Sequence, residues 1–175
     1  SSYNCIGNSC QSKGEYDRAI EHYEKALIIN QKNENAKSPD VAMSYNQIGV
    51  CHNKVGNSDE AIASAEKALA INLKTLGPEH LKVAFNLNNI GLAYDNKRAY
   101  GKAIKHYKKA LTIKLKTLGA EHFHIASSHH NIGEAYKNQE HYEKAVEHYE
   151  KALDINLKIH GTEHPSVPSG YHDIG

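Results

Sequence analysis

The sequence has no tryptophan, only two phenylalanines, one methionine and four prolines, and almost no net charge. Its 21 basic and 20 acidic residues leave a formal charge of +1, so no global field attracts nucleic acid or an anionic membrane. No apolar run approaches the roughly 20 residues of a membrane span. The first residues, SSYNCIGNSC, lack the basic and apolar regions of a signal peptide. We therefore expect a cytoplasmic chain whose partners are neither nucleic acids nor membranes.

Motifs for catalysis are also missing. The three cysteines, Cys5, Cys10 and Cys51, form no CxxC and no framework of disulfides, which indicates buried, reduced thiols. The sequence contains no glycine-rich phosphate loop, nucleophile elbow or cysteine–histidine signature. We therefore expect neither an enzyme nor a cofactor, and assign no catalytic residue.

Histidine is abundant, at 13 residues, and raises the alternative of a metal site. No HExxH occurs, and the adjacent His129 and His130 diverge on a helix. His80, His122 and His164 recur at steps of 42 residues, which marks them as loop elements of a repeat. We therefore predict no metal site.

A 42-residue period is the strongest feature of the sequence. Isoleucine–glycine pairs recur at 6–7, 48–49, 90–91, 132–133 and 174–175. Within each period, apolar residues spaced by three or four form two amphipathic stripes separated by a polar break. The pattern predicts helix A, a tight turn, helix B and a loop, with Gly119 in the place of a left-handed C-cap residue. The predicted pairs are 2–13 with 16–32, 41–55 with 59–76, 83–97 with 100–118, and 125–139 with 142–160.

Small residues explain how the two helices of a pair stay together. Helix B carries two alanines seven residues apart in each repeat, with a tyrosine between them at Tyr23, Tyr107 and Tyr149. The small residues let the backbones approach, and the tyrosine fills the space beside them. Ala65 replaces this tyrosine in the second repeat, which we expect to pack more loosely.

The isoleucine–glycine pair on helix A and the alanine–tyrosine–alanine series on helix B resemble the tetratricopeptide repeat. The loops NLKTLGPEH, KLKTLGAEH and NLKIHGTEH are similar to those of kinesin light chains and nephrocystin-like proteins. The resemblance implies an all-α, right-handed superhelix of about four units plus a partial fifth A helix, in one solenoid domain. The units span about 1–40, 41–82, 83–124 and 125–166, with the partial repeat at 167–175. We expect a segment of a longer array.

The resemblance also implies a concave groove lined by the A helices, without a catalytic pocket. The family pattern places fourteen groove residues: Asn4, Asn8, Asn46, Val50, Asn53, Lys54, Asn88, Leu92, Asp95, Asn96, His130, Glu134, Lys137 and Asn138. Spacings of four, seven and eight place the members in each helix on one face. A recurring asparagine, at Asn4, Asn46 and Asn88, can bind the backbone of an extended peptide. The alternative is that these asparagines simply occupy a solvated helix face.

The expected function is a scaffold or adaptor that binds an extended peptide or a partner helix in this groove. The groove lacks the cations that clamp a C-terminal carboxylate, so a chaperone tail is a poor ligand. The alternative is a structural, self-assembling segment, since uncapped ends of a solenoid are apolar and could form weak homo-oligomers.

Overall fold

The computed structural model describes residues 2–32 and 39–161, without the side chains of Lys32 and His160. This part of the chain forms eight α-helices in four antiparallel pairs. They are α1 Ser2–Ser12, α2 Tyr16–Lys32, α3 Pro39–Val55, α4 Ser58–Leu76, α5 Leu81–Asn96, α6 Tyr100–Leu118, α7 Phe123–Asn138 and α8 Tyr142–His160. The predicted helix pairs are confirmed. The partial helix predicted at 167–175 and His164 lie outside the described residues.

Histidine caps explain where two of the A helices begin. The Nδ1 atoms of His80 and His122 accept hydrogen bonds from the backbone N–H groups of Lys82 and His124, each at 3.1 Å. These bonds satisfy donors that have no partner within the first turn. The histidine of the recurring loop is therefore an N-cap residue, which is why α5 and α7 begin two residues before their predicted starts.

The glycines that end the B helices correct one prediction. Gly119 has φ 82° and ψ 170°, and Gly77 has φ 85° and ψ 167°. The expected left-handed cap needs ψ near +47°, so that prediction is wrong in ψ although φ is positive. The extended ψ directs the chain away from the helix toward the capping histidine. Only glycine adopts this conformation without strain.

The turns between helices A and B place one residue per repeat at positive φ. These residues are Gly14 (φ 78°), Gly56 (φ 86°), Arg98 (φ 58°) and Glu140 (φ 61°). A left-handed backbone costs a residue with a Cβ roughly 1–2 kcal/mol. The third and fourth repeats therefore retain backbone strain that glycine relieves in the first two.

Replacing Arg98 by glycine should raise the free energy of unfolding by up to about 1 kcal/mol, after the greater entropy loss of glycine on folding is deducted. The midpoint of urea unfolding measures this. Gly56→Ala is the opposing control, since it introduces a Cβ at φ 86° and should lower the midpoint. If Arg98→Gly also lowers the midpoint, the strain assignment is wrong.

The contact between a glycine of helix A and a tyrosine of helix B holds each of three pairs together. A Cβ added to Gly91 would lie 2.6 Å from Cε1 of Tyr107, and one added to Gly133 would lie 2.7 Å from Cε1 of Tyr149. Gly7 and Tyr23 repeat this arrangement at 2.6 Å. The flanking alanines of helix B are buried: Ala19, Ala26, Ala61, Ala68, Ala103, Ala110, Ala145 and Ala152. The second repeat differs, because the nearest atom to a Cβ on Gly49 is the backbone oxygen of Ala61, at 3.2 Å.

Gly91→Ala should therefore lower the free energy of unfolding by about 1–3 kcal/mol, because the methyl group overlaps the buried ring of Tyr107. Gly49→Ala is the matched variant in the repeat without a ring. Alanine gains up to about 1 kcal/mol of helix propensity there, so its effect should stay within about 1 kcal/mol. Urea unfolding of both variants tests this, and equal losses would contradict the role given to the ring.

The repeats are joined by cores that cross from one unit to the next. One cluster combines Tyr23 and Cys51 from the first two repeats, and another combines Tyr107 and Ile125 from the last two. A third joins Leu69 of α4 to Val83 of α5. Helices α3 and α5 also touch directly, so successive A helices lie side by side. In the part of the chain described, no helix is long and apolar enough to cross a membrane.

Candidate functional site

All fourteen predicted groove residues lie on the A helices α1, α3, α5 and α7. Asn4 and Asn53 are buried, each with 7% of its surface exposed. The other twelve are half-buried or exposed: Asn8, Asn46, Val50, Lys54, Asn88, Leu92, Asp95, Asn96, His130, Glu134, Lys137 and Asn138. The face that these helices present is therefore accessible at most of the predicted positions.

The recurring asparagine of helix A binds the next repeat through its side-chain oxygen. Oδ1 of Asn46 accepts hydrogen bonds from Nδ2 of Asn86 at 2.8 Å and from Nδ2 of Asn89 at 2.9 Å. Oδ1 of Asn88 lies 3.5 Å from Nδ2 of Asn131. Neighbouring A helices are thus tied by side-chain amides, which the sequence did not predict.

The first repeat has the same arrangement with a hydroxyl as the donor. Oδ1 of Asn4 lies 3.5 Å from Oγ of Ser44, which also donates to the backbone oxygen of Asp40 at 3.1 Å. In three repeats the oxygen of the recurring asparagine faces the following unit. The amino group of Asn46 lies 3.5 Å from Oε1 of its neighbour Gln47. In the fourth repeat, His130 replaces the asparagine and its ring lies 5.7 Å from that of Tyr149.

Asn53 and Asn96 each bind the backbone of the neighbouring A helix. Nδ2 of Asn53 donates to the backbone oxygen of Asn89 at 3.1 Å, and Nδ2 of Asn96 donates to the backbone oxygen of Asn53 at 3.3 Å. Both bonds join α3 to α5. These two predicted groove residues therefore hold adjacent A helices together.

Amide groups also surround the tyrosine of the first repeat. Oη of Tyr23 lies 2.7 Å from both Oδ1 of Asn8 and Oε1 of Gln11. Nε2 of Gln47 donates to the same two oxygens, at 3.5 and 3.3 Å. This network links α1, α2 and α3. Lys54 is exposed at the same end of the A-helix face.

The third and fourth repeats each place an acidic side chain on the A-helix face, Asp95 and Glu134. Burial, followed by the charge of Glu134, raises the pKa of Asp95, although a hydrogen bond from Asn138 opposes the shift. Burial would also raise the pKa of Glu134, but hydrogen bonds from Tyr149 and Lys137 outweigh it and lower the pKa. Nζ of Lys137 lies 3.0 Å from Oε1 of Glu134. The A-helix face therefore has mixed polarity without a basic lining.

The family model of the tetratricopeptide repeat matches residues 1–74, 40–116, 96–158 and 124–175, which together span the chain. The chain belongs to the tetratricopeptide repeat family. Such repeats generally form scaffolds for protein–protein interaction and are typically not enzymes. No curated protein matches the sequence.

Solved structures of tetratricopeptide arrays resemble the whole chain. One structure contains nearly identical repeats assigned to a kinesin light chain of Podosopora anserina. Its sequence is 26% identical to this chain, and the match has a TM-score of 0.83 and covers 99% of this chain and 82% of the other. BtubC (BKLC) of P. vanneervenii is 23% identical, with a TM-score of 0.85 over 98% and 68%. A Rap protein complexed with competence and sporulation factor is 17% identical, with a TM-score of 0.78 over 98% and 46%. The last two show a common fold, and the first supports the predicted resemblance to kinesin light chains.

A histidine pair in the tetratricopeptide array was missed by the sequence analysis. Nδ1 of His129 on α7 lies 2.9 Å from Nδ1 of His148 on α8. A bond at this distance requires that one ring donates and the other accepts. Among the described residues, no group of three or more histidine, cysteine or acidic side chains could hold a metal ion. In the third repeat, Leu87 and His106 stand at the corresponding positions. The change from leucine to histidine at position 129 is therefore the signal of the pair, and it is visible only when the repeats are aligned.

Both histidines lie in surroundings that disfavour protonation. Burial, then the charges of His129 and Lys151, lower the pKa of His148 to about 4, while Glu147 opposes the shift. Burial and Lys151 also lower the pKa of His129. The ring of Tyr136 stacks on His148 with centroids 5.7 Å apart.

Lowering the pH should therefore destabilise the fourth repeat. Because the pKa of His148 in the folded chain, about 4, is below the ordinary 6.5, the unfolded chain takes up the proton first. Stability is fully present above pH 6.5 and declines as the pH falls toward 4. We expect a loss of about 1–2 kcal/mol, since partial exposure screens the effect.

Urea unfolding at pH 7 and near pH 4 measures this loss. The control is His129→Leu/His148→Ser, which inserts the residues found at Leu87 and Ser64. All other titrating groups are unchanged in that variant, so the difference in pH dependence belongs to the pair. Identical pH dependence in the two proteins would rule out the assigned role.

Proposed function

We propose that this array is an adaptor module that binds an extended peptide segment of a partner protein along the face of its A helices. The general role of tetratricopeptide repeats as protein-binding scaffolds supports this. So does the structure of the Rap protein complexed with competence and sporulation factor, whose repeats have the same fold.

The observation that carries the proposal is the common orientation of Asn4, Asn46 and Asn88. Their amide oxygens are used by the next repeat, at distances of 2.8–3.5 Å. An amide amino group carries two N–H donors, so the half-buried Asn46 and Asn88 each keep a donor for a ligand, even though Nδ2 of Asn46 lies 3.5 Å from Oε1 of Gln47. The buried Asn4 offers less of its amino group. Such a column of N–H groups suits the backbone carbonyls of an extended peptide, because these recur along the chain whatever its side chains.

The mixed polarity of the face favours a partner without a strong net charge. Lys54 offers one cation near α1, whereas Asp95 and Glu134 lie on α5 and α7. The half-buried side chains of Val50 and Leu92 provide the apolar positions between them. A ligand with one dominant charge would meet a like charge at one end of this face.

The double variant Asn46→Asp/Asn88→Asp tests the donors directly. Aspartate keeps an oxygen for the ties between repeats but replaces the amino group by a second acceptor. Two donors worth about 1 kcal/mol each correspond to roughly 30-fold in affinity. The probe is a labelled peptide selected from a randomised displayed library on the immobilised chain, with affinity measured by fluorescence anisotropy.

The control Asn57→Asp makes the same chemical change in the exposed turn between α3 and α4. It should leave the peptide affinity unchanged, and all variants should keep their thermal midpoints. Unchanged affinity in the double variant would refute the role of the donors. If no peptide is enriched and light scattering shows concentration-dependent oligomers, self-assembly replaces peptide binding as the function.

A further inference from the structure

A small pocket lies at the joint between the second and third repeats, where α3, α4 and α5 meet. Its volume is about 110 Å³, and it is lined by Ala42, Met43, Asn46, Asn72, Lys82, Phe85 and Asn86. By this measure about 10–15 Å³ holds one water molecule, so the pocket has room for a small polar side chain. Asn46 belongs both to this pocket and to the A-helix face, so a bound peptide passes its entrance.

One of the lining residues, Asn72, has a buried polar atom without a partner behind the pocket surface. Asn72 is 2% exposed, and its Oδ1 accepts no hydrogen bond from the described residues. The network fixes this orientation: Asn86 donates to Asn46, so its own oxygen faces Asn72, and Nδ2 of Asn72 donates to it at 2.7 Å. A buried acceptor left unpaired costs about 1–3 kcal/mol. A donor that enters the pocket recovers this energy.

The corresponding joint between the third and fourth repeats is closed by the chain itself. Lys114 stands at the position of Asn72, is 3% exposed, and donates from Nζ to Oγ of Ser128 at 2.8 Å. Its ammonium lies 5.7 Å from the centre of the Phe85 ring, which contacts His124 at 5.0 Å. At the joint between the second and third repeats, the asparagine at position 72 is shorter than the lysine at 114. Met43 and Lys82 stand there at the positions that correspond to Phe85 and His124. The earlier joint therefore lacks both the filling side chain and the donor.

We propose that this pocket receives the primary carboxamide side chain of a glutamine or asparagine in the bound peptide. The amide N–H donates to Oδ1 of Asn72, and the amide oxygen accepts from the ammonium of Lys82 at the mouth. The aliphatic stem lies against Met43 and Phe85. The proposal rests on the proposed function, since it names a side chain of the same ligand.

Other side chains fit these groups less well. None of the residues lining the pocket is acidic, so a lysine or arginine would bury an unpaired charge beside Lys82. A carboxylate would place an acceptor against the acceptor of Asn72. An aliphatic side chain would leave Oδ1 of Asn72 unpaired. Met43 is 45% exposed and unbranched, so its rotation opens the path to the inner wall.

The test uses small probes and the intact chain, so it does not depend on any peptide. Met43 is the one methionine of the sequence, and its ¹³C-labelled methyl group gives a single assigned NMR signal. Propionamide reproduces the side chain of glutamine, 2-butanone has the same shape without a donor, and n-butylammonium is the cationic probe. We expect propionamide to shift the Met43 methyl and Asn72 amide signals saturably, with an affinity about 2–10-fold above that of 2-butanone.

The matched variant Asn72→Lys/Asn86→Ser transfers the closed joint of Lys114 and Ser128 to the earlier position. It should abolish the response to propionamide while the thermal midpoint is retained. If that variant does not fold, Met43→Phe is used instead, which narrows the pocket by introducing the residue type that stands at the corresponding position, Phe85. The Asn72 amide signal should then shift less when propionamide is added. Equal binding of amide, ketone and ammonium, no saturable shift, or an undiminished response in the folded variants would overturn the proposal. Library peptides that still bind and respond to Asn46→Asp/Asn88→Asp would then leave the proposed function intact.

Discussion

The ring of a helix-B tyrosine against a helix-A glycine sets the distance between the two helices of a repeat, and the other contacts of the array depend on that distance. At Gly91 and Tyr107 the space for a Cβ is already taken by the ring, at 2.6 Å. Three of the four pairs have this contact, and in the second pair the backbone oxygen of Ala61 faces Gly49 instead, at 3.2 Å. The pairs still share the 42-residue pattern of buried positions, so each packs on the next in a similar way. The stacking places α3 beside α5, close enough for side-chain amides to connect them.

The amide ties connect stability to the proposed function of the A helices. Asn46 accepts two hydrogen bonds from the third repeat, and Asn53 donates one to it. Asparagine is a mediocre helix former, so its use here costs some helix propensity. That cost is offset by the ties, and the ties also orient the amino groups of the recurring asparagines. Polar residues on a helix face can thus join repeats and present donors at once, a combination that neither a solvated face nor a dedicated binding face describes by itself.

Periodicity predicted the helices because it follows from burial, which every repeat needs equally. Features that occur once could not be predicted in that way. Asn53 matches the family pattern of a groove residue, yet it is buried, because its amide reaches the backbone of α5. His129 and His148 pair only in the fourth repeat, because His129 stands where the third repeat has Leu87, whereas the third repeat also has a histidine at the position of His148. His80 was recognised as a repeated loop residue, but its capping role needed the loop geometry that Gly77 determines.

Differences between equivalent joints are where a repeat array gains specificity. Lys114 and Ser128 make a joint in which the lysine side chain is buried and its ammonium donates to the serine hydroxyl at 2.8 Å. Asn72 and Asn86 make a joint with the same backbone but with one acceptor unpaired and a pocket beside it. Keeping an unpaired acceptor lowers the stability of that joint. A longer side chain at position 72 would fill the pocket as Lys114 does at the later joint, but that joint buries an ammonium, and burial lowers the pKa of Lys114 to about 8. A ligand side chain that supplies the missing donor recovers the cost of the unpaired acceptor at one joint of the array without altering the stacking of the others.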